Sequence, residues 1–203
     1  REGRVSRLVL LLPLAGCLTL DDFVNNPIHC TAVGASTCTA YDNPWDNVCT
    51  PCDTAYAWDA DHPWMDGTLD EGATIRPIDP STVTAMPLPT DDGEGELDAY
   101  LVPSHGEVPE LADTLVVYNH GRYANIEHYL PRVRMLHEAG YAVLVWDFRG
   151  YGKSSEGTAT PAQFLADART VRAAAAAVAP DPDRVVVYGY SLGAIPSVEM
   201  ATT

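Results

Sequence analysis

The sequence predicts an α/β protein: a doubly wound, mainly parallel sheet, with an N-terminal hairpin and a Cys-rich lead-in ahead of it. Three observations predict this. Short runs rich in Val and Leu recur at residues 114–118, 141–146 and 184–188, as in strands covered on both faces. Segments with apolar residues at helical spacing separate those runs. Gly140 and the pair Pro180 and Pro182 stop the helical segments where a return strand must begin. Alternation of strand and helix argues for right-handed crossovers in one sheet.

The elements follow in order. Thr82-Val83-Thr84-Ala85-Met86-Pro87-Leu88 alternates like a strand, and Asp91-Asp92-Gly93-Glu94-Gly95 is a turn. Glu96 to Val102 alternates again, so the two read as a hairpin with a loop of several residues. A polar loop carries Pro103, Gly106 and Pro109. Thr114 to Tyr118 is the first parallel strand. Ile126, Tyr129, Leu130, Val133 and Leu136 mark a helix, in which Pro131 is tolerable only near the start or at a kink. Tyr141 to Trp146 is the next strand, and Phe164, Leu165, Ala168, Val171, Ala175 and Val178 mark the next helix. Arg184 to Tyr188 reads as a third buried strand.

Composition narrows the partners. The 203 residues carry 12 Lys and Arg against 28 Asp and Glu, a net charge of −16. A surface that acidic repels phosphate backbones, which argues against a nucleic-acid partner. With 46% apolar and 20% charged residues, the chain is a folder. No apolar run reaches the ~18 residues of a membrane span.

The N-terminus reads as an address. Arg1, Arg4 and Arg7 form a basic region, Leu8 to Leu14 an apolar one, and Ala15 and Gly16 precede Cys17. That order predicts a secretory signal over 1–16. Leu14-Ala15-Gly16-Cys17 also resembles the lipobox of bacterial lipoproteins. The resemblance implies an acylated Cys17 and anchoring on the extracytoplasmic face of a bacterial membrane, stable because several acyl chains are attached. The alternative is a buried first helix in a cytosolic protein.

Residues 17–73 form the lead-in, rich in Cys, Trp and Asp, and 74–203 the α/β domain. Cys30, Cys38, Cys49 and Cys52 are an even set in a stretch with little apolar periodicity. In an oxidising compartment they predict two disulfides, with three possible connectivities. A thioredoxin-like site at Cys49-Thr50-Pro51-Cys52 or a zinc site is the alternative, but only one close Cys pair is present.

The chemistry lies straight after the third strand, at Gly189-Tyr190-Ser191-Leu192-Gly193. In a strand–turn–helix setting, G-x-S-x-G holds its Ser on a tight turn. Residues two before and two after must then be nearly free of side chain. The predicted result is a Ser191 hydroxyl exposed at the carboxyl edge of the sheet, with the Leu192 N–H free at a helix start. A second piece, Asn119-His120-Gly121-Arg122, ends the first parallel strand. A His-Gly turn there is the usual place for a second oxyanion donor, here the Arg122 N–H, and Gly121 lets the backbone approach. No phosphate loop, dinucleotide fingerprint or metal-binding His pair is present, so no cofactor is expected.

Together with Asp147-Phe148-Arg149-Gly150-Tyr151-Gly152-Lys153-Ser154, these motifs resemble the α/β-hydrolase superfamily, and more closely its Bem46-like and serine-aminopeptidase-like branch. The resemblance covers residues from about 80 to 203 and leaves the lead-in unexplained. It implies acyl transfer: Ser191 attacks an ester, thioester or amide carbonyl of a small-molecule or peptide substrate, the Arg122 and Leu192 amides hold the oxyanion, and water releases the acyl-enzyme. Relatives often carry Asn where Arg122 stands. The donor is a backbone group, so the hole survives, and a cation at the mouth biases substrate choice. His120 and Asp147 are expected to be structural, supporting neighbouring loops. Arg149 and Lys153 are read as bracing the sheet edge.

The family order is Ser, acid, His. All six His precede Ser191, and neither His nor Asp follows it. The expectation is therefore a chain that ends before its acid and base, an N-terminal part of a longer fold that is inactive alone. A non-enzymatic envelope lipoprotein that binds through the hydrolase scaffold is the second reading. A thiol or metal protein centred on Cys49 and Cys52 is the third.

Overall fold

The computed structural model describes Tyr56, Trp58 and residues 76–122, 125–156 and 159–203. The predicted signal over 1–16, Cys17, and Cys30, Cys38, Cys49 and Cys52 lie outside the described residues.

The hairpin forms, but as a broken ladder. β1 (Thr84–Ala85) pairs antiparallel with β4 (Ala99–Val102), and β2 (Leu88–Pro89) with β3 (Glu96–Leu97). Met86-Pro87 on one arm and Asp98 on the other interrupt it, and Pro87 has no N–H to give to a ladder. A single turn, α1 (Pro109–Ala112), leads to β5 (Leu115–Asn119). Then come α2 (Ile126–Glu138), β6 (Ala142–Trp146), α3 (Pro161–Val178), β7 (Val185–Gly189) and α4 (Ala194–Thr202). The main sheet runs β1-β4-β6-β5-β7. β6, β5 and β7 are parallel, with Leu115 level with both Ala142 and Val185, and β4 joins β6 antiparallel.

Strand alternation splits the core into two layers. Leu115, Val117, Leu144 and Trp146 face α3 and α4, where Phe164, Ala168, Val171 and Met200 cover them. Tyr118, Val143 and Val145 face α2 and meet Ile126, Tyr129, Leu130 and Val133. Tyr56 and Trp58 of the lead-in join this second layer, 3% and 4% exposed.

Local chemistry sets the helix ends. Thr160 and Gln163 form a reciprocal capping box at the start of α3, ahead of the first apolar residue that the periodicity marks. Gly140 follows α2 with φ +102°, and the Gly140 and Tyr141 amides donate back to the His137 and Leu136 carbonyls. This is the left-handed stop that glycine favours. Pro131 lies inside α2, as its sixth residue, and not near the start. β7 differs from expectation too. It is half-exposed, with Val186 48% exposed, because it is the outer strand of the described sheet and has a neighbour on one side only.

Arg149 ties the hairpin turn to α3. Its guanidinium meets Asp92 at 2.9 Å and Asp167 at 2.9 Å. Arg149 holds the Asp92 carboxyl well below the usual range, whereas burial pushes Asp167 up.

Candidate active site

β7 ends at Gly189, and the chain turns through Ser191–Gly193 before α4 begins. Ser191 has φ +53°, the one positive φ among described non-glycine residues. That conformation costs a residue with a Cβ roughly 1–2 kcal/mol. Close packing holds it. A Cβ on Gly189 would lie 2.3 Å from the Gly193 carbonyl oxygen and 2.3 Å from Ser197 Oγ. A Cβ on Gly193 would lie 2.0 Å from the Asn119 carbonyl oxygen. Glycine alone fits at either place. Ser191 is exposed at the turn, and Leu192 is buried beneath it.

The end of β5 is fastened to this turn. The Tyr190 amide donates to the Asn119 carbonyl at 3.0 Å, and the Gly193 amide to the Tyr190 carbonyl at 2.9 Å. The buried Asn119 carboxamide accepts from Trp146 Nε1 at 2.6 Å and donates to Ser197 Oγ at 2.8 Å. Ser197 in turn donates to the Gly193 carbonyl at 2.7 Å. Asn119 has no task in the sequence motif itself. Its signal was a polar residue closing a strand that is otherwise apolar, where a buried amide needs partners.

The two predicted motifs therefore meet. A Cβ on Gly121 would lie 2.5 Å from the Tyr129 hydroxyl and 3.0 Å from Tyr190 Cδ1, so the His-Gly turn rests on the residue just before Ser191. Arg122 follows it, half-buried. A further cation stands close by: the Arg132 guanidinium lies 4.0 Å from the Tyr190 ring centroid. Apolar periodicity sets residue 132 within a helix and assigns it no part at this edge.

His120 is fully buried, its ring stacked on Phe148 with centroids 4.1 Å apart. Its Nδ1 is 2.7 Å from the Gly121 carbonyl oxygen. Its Nε2 lies 3.2 Å from Asp147 Oδ1, out of line for a hydrogen bond. Asp147 is equally buried, and its Oδ1 accepts the Ile126 amide at 2.9 Å. Both side chains thus face into the fold beneath the turn. Asp98 stands near, and burial together with the Asp147 charge pushes its carboxyl up to about 6. Among the described residues no three His, Cys, Asp or Glu side chains are grouped to hold a metal.

Residues 111–203 match the family model described as serine aminopeptidase, S33. The chain has the α/β-hydrolase fold. Within this hydrolase fold, similarity extends to curated relatives. The uncharacterized protein YfhR of Escherichia coli is 28% identical over 116 residues, 57% of this chain and 40% of that protein. Its Salmonella typhi counterpart is 30% identical over 118 residues, 56% and 39% respectively. A solved esterase of Pyrococcus furiosus is similar over 58% of this chain and 44% of its own, at 25% identity and a TM-score of 0.49. This chain spans about two fifths of the length of the curated relatives it matches.

Proposed function

We propose that this chain is the nucleophile-bearing part of a lipid-anchored, exported serine hydrolase of the Bem46-like and serine-aminopeptidase-like branch. Its substrates are small-molecule or peptide acyl compounds with an ester, thioester or amide bond. The observation that carries the proposal is the exposed Ser191 at φ +53°, wedged by Gly189 and Gly193 against the end of β5. Strain of that kind persists only where the surroundings over-determine it, and it concentrates at reactive sites.

In the proposed reaction, Ser191 Oγ forms a bond to the substrate carbonyl carbon and its hydroxyl proton passes to a base. The carbonyl oxygen becomes an oxyanion held by the Leu192 and Arg122 amides. The proton then goes to the departing alcohol, thiol or amine as its bond to carbon breaks, and water repeats the sequence on the acyl-enzyme. Among the described residues no side chain hydrogen-bonds the Ser191 hydroxyl. The acid and the base are therefore proposed to follow Thr203 in the longer protein, in the order Ser, acid, His. The backbone amide is the proposed donor at residue 122, so the Arg122 side chain is left to bias the choice of substrate. The domain division 1–16, 17–73 and 74–203 belongs to the same proposal, as does acylation of Cys17 after export.

One experiment tests the enzyme and its address. A fluorophosphonate probe applied to cells making the full-length protein labels Ser191, and the label travels with the membrane fraction. Ser191→Ala abolishes labelling. Cys17→Ser keeps the labelling and releases the label from membranes. Wild-type protein that takes no probe under conditions where it is folded overturns the hydrolase reading. Label that stays on membranes in Cys17→Ser overturns the anchor.

A further inference from the structure

Among the described residues of the lead-in, Tyr56 reaches the candidate site through its hydroxyl. Tyr56 is 3% exposed and its hydroxyl donates to Asp147 Oδ2 at 2.7 Å. Asp98 Oδ2 lies 3.3 Å from the same oxygen. A phenol has one hydrogen to give, and the shorter contact takes it. The ring is held on three sides: Trp58 at 6.0 Å and Tyr100 at 5.4 Å between centroids, with Lys153 Nζ 3.9 Å from the ring centre.

The other oxygen of the same carboxylate serves the turn. Asp147 Oδ1 receives the first amide of α2 and faces His120 Nε2, while His120 Nδ1 reaches the Gly121 carbonyl. The Asp147 carboxylate thus lies between the start of α2 and the buried His120 ring, beside the His-Gly turn. Tyr56 donates to Oδ2. A Cβ on Gly152 would lie 1.9 Å from Oδ2, so the carboxylate is packed directly against that stretch of backbone. Packing alone does not need a phenol here, because phenylalanine would fill the same space. The hydroxyl is what meets the carboxylate.

We propose that Tyr56 is a positioning residue: by donating to Asp147 it fixes the carboxylate that sets the His120-Gly121-Arg122 turn, and so couples the lead-in to the reactivity of Ser191. This rests on the serine-hydrolase reading above, in which the Arg122 amide holds the oxyanion. Interactions that hold a group in its productive geometry affect the transition state more than the bound substrate.

The test uses the full-length protein with a p-nitrophenyl ester and the fluorophosphonate probe. Tyr56→Phe is expected to lower kcat and the rate of Ser191 labelling about tenfold, less than the ~10² lost with an oxyanion donor itself. KM is expected to stay within about twofold, since an interaction felt only in the transition state leaves ground-state binding alone. Tyr100→Phe is the control. It removes a neighbouring hydroxyl of the same aromatic cluster and is expected to leave kcat within about twofold. Should Tyr56→Phe fail to fold, 3-fluorotyrosine at position 56 replaces it. A change in labelling rate of twofold or more then supports the proposal and an unchanged rate overturns it. A folded Tyr56→Phe with wild-type kcat, or a Tyr100→Phe equally impaired, also overturns it. Wild-type protein inert to the probe sinks the hydrolase reading instead, and the positioning role with it.

Discussion

Gly193 has very little room to change. The position of an added Cβ falls 2.0 Å from the Asn119 carbonyl oxygen and 2.6 Å from that of His120. Both are backbone atoms at the end of a strand paired on either side, so neither retreats cheaply. Gly193→Ala is expected to cost about 3 kcal/mol, read from urea denaturation. Gly93→Ala is the comparison: its Cβ meets nothing within 4 Å and carries only the penalty of φ +70°, about 1 kcal/mol. The spacing of the glycines about Ser191 was legible in the sequence because both fall within one five-residue turn, although Gly193 also meets the distant end of β5. The tasks of Asn119 and Tyr56 were not, because their partners lie far away: Ser197 is 78 positions from Asn119, and Asp147 is 91 from Tyr56.

Elements were legible where a pattern stays within one segment. The strands at 115–119 and 142–146 and the helix at 126–138 fall within a few residues of their apolar periods. The start of α3 was written in Thr160-Pro161-Ala162-Gln163, a cap pattern that apolar spacing alone passes over. The exposure of β7 was illegible, since its Val-rich run is also what a covered strand would carry. Between elements, Arg149 carries the testable weight. Asp167 is fully buried, and Arg149→Leu leaves its carboxylate without a counter-ion. The expected loss is about 3–5 kcal/mol by thermal or urea unfolding. Arg149→Leu combined with Asp167→Leu recovers most of it, because an apolar pair of similar volume needs no compensation. Asp92, with 30% of its side chain exposed, contributes less to the cycle because water screens it.

For the molecule as a whole, the buried carboxylates set how stability answers to pH. Burial first, then the Asp147 charge, raises the Asp98 carboxyl to about 6 in the folded state, against about 3.9 unfolded. Below pH 4 both states hold the proton and Asp98 is neutral in its effect. As pH rises from about 4 to 6 the unfolded chain ionises while the folded one does not, and stability falls by up to about 3 kcal/mol. Asp98→Asn is expected to flatten that interval in urea midpoints measured from pH 4 to 7. A slope that persists unchanged in Asp98→Asn assigns it to another group. His137 works in the opposite sense: burial lowers its folded value, so its contribution is present above about 6.5 and lost as pH falls.

The strand order also dictates a timetable for synthesis. β5 leaves the ribosome well before either flanking strand, yet it occupies the middle of the parallel trio. One side of it gains a neighbour when residue 146 has emerged, and the other only when residue 189 has. At ~5–20 residues per second the nascent chain spends several seconds with this buried strand half-bonded. Over that interval Val116 and Val117 have β6 on one side and lack the neighbour that β7 supplies in the finished sheet.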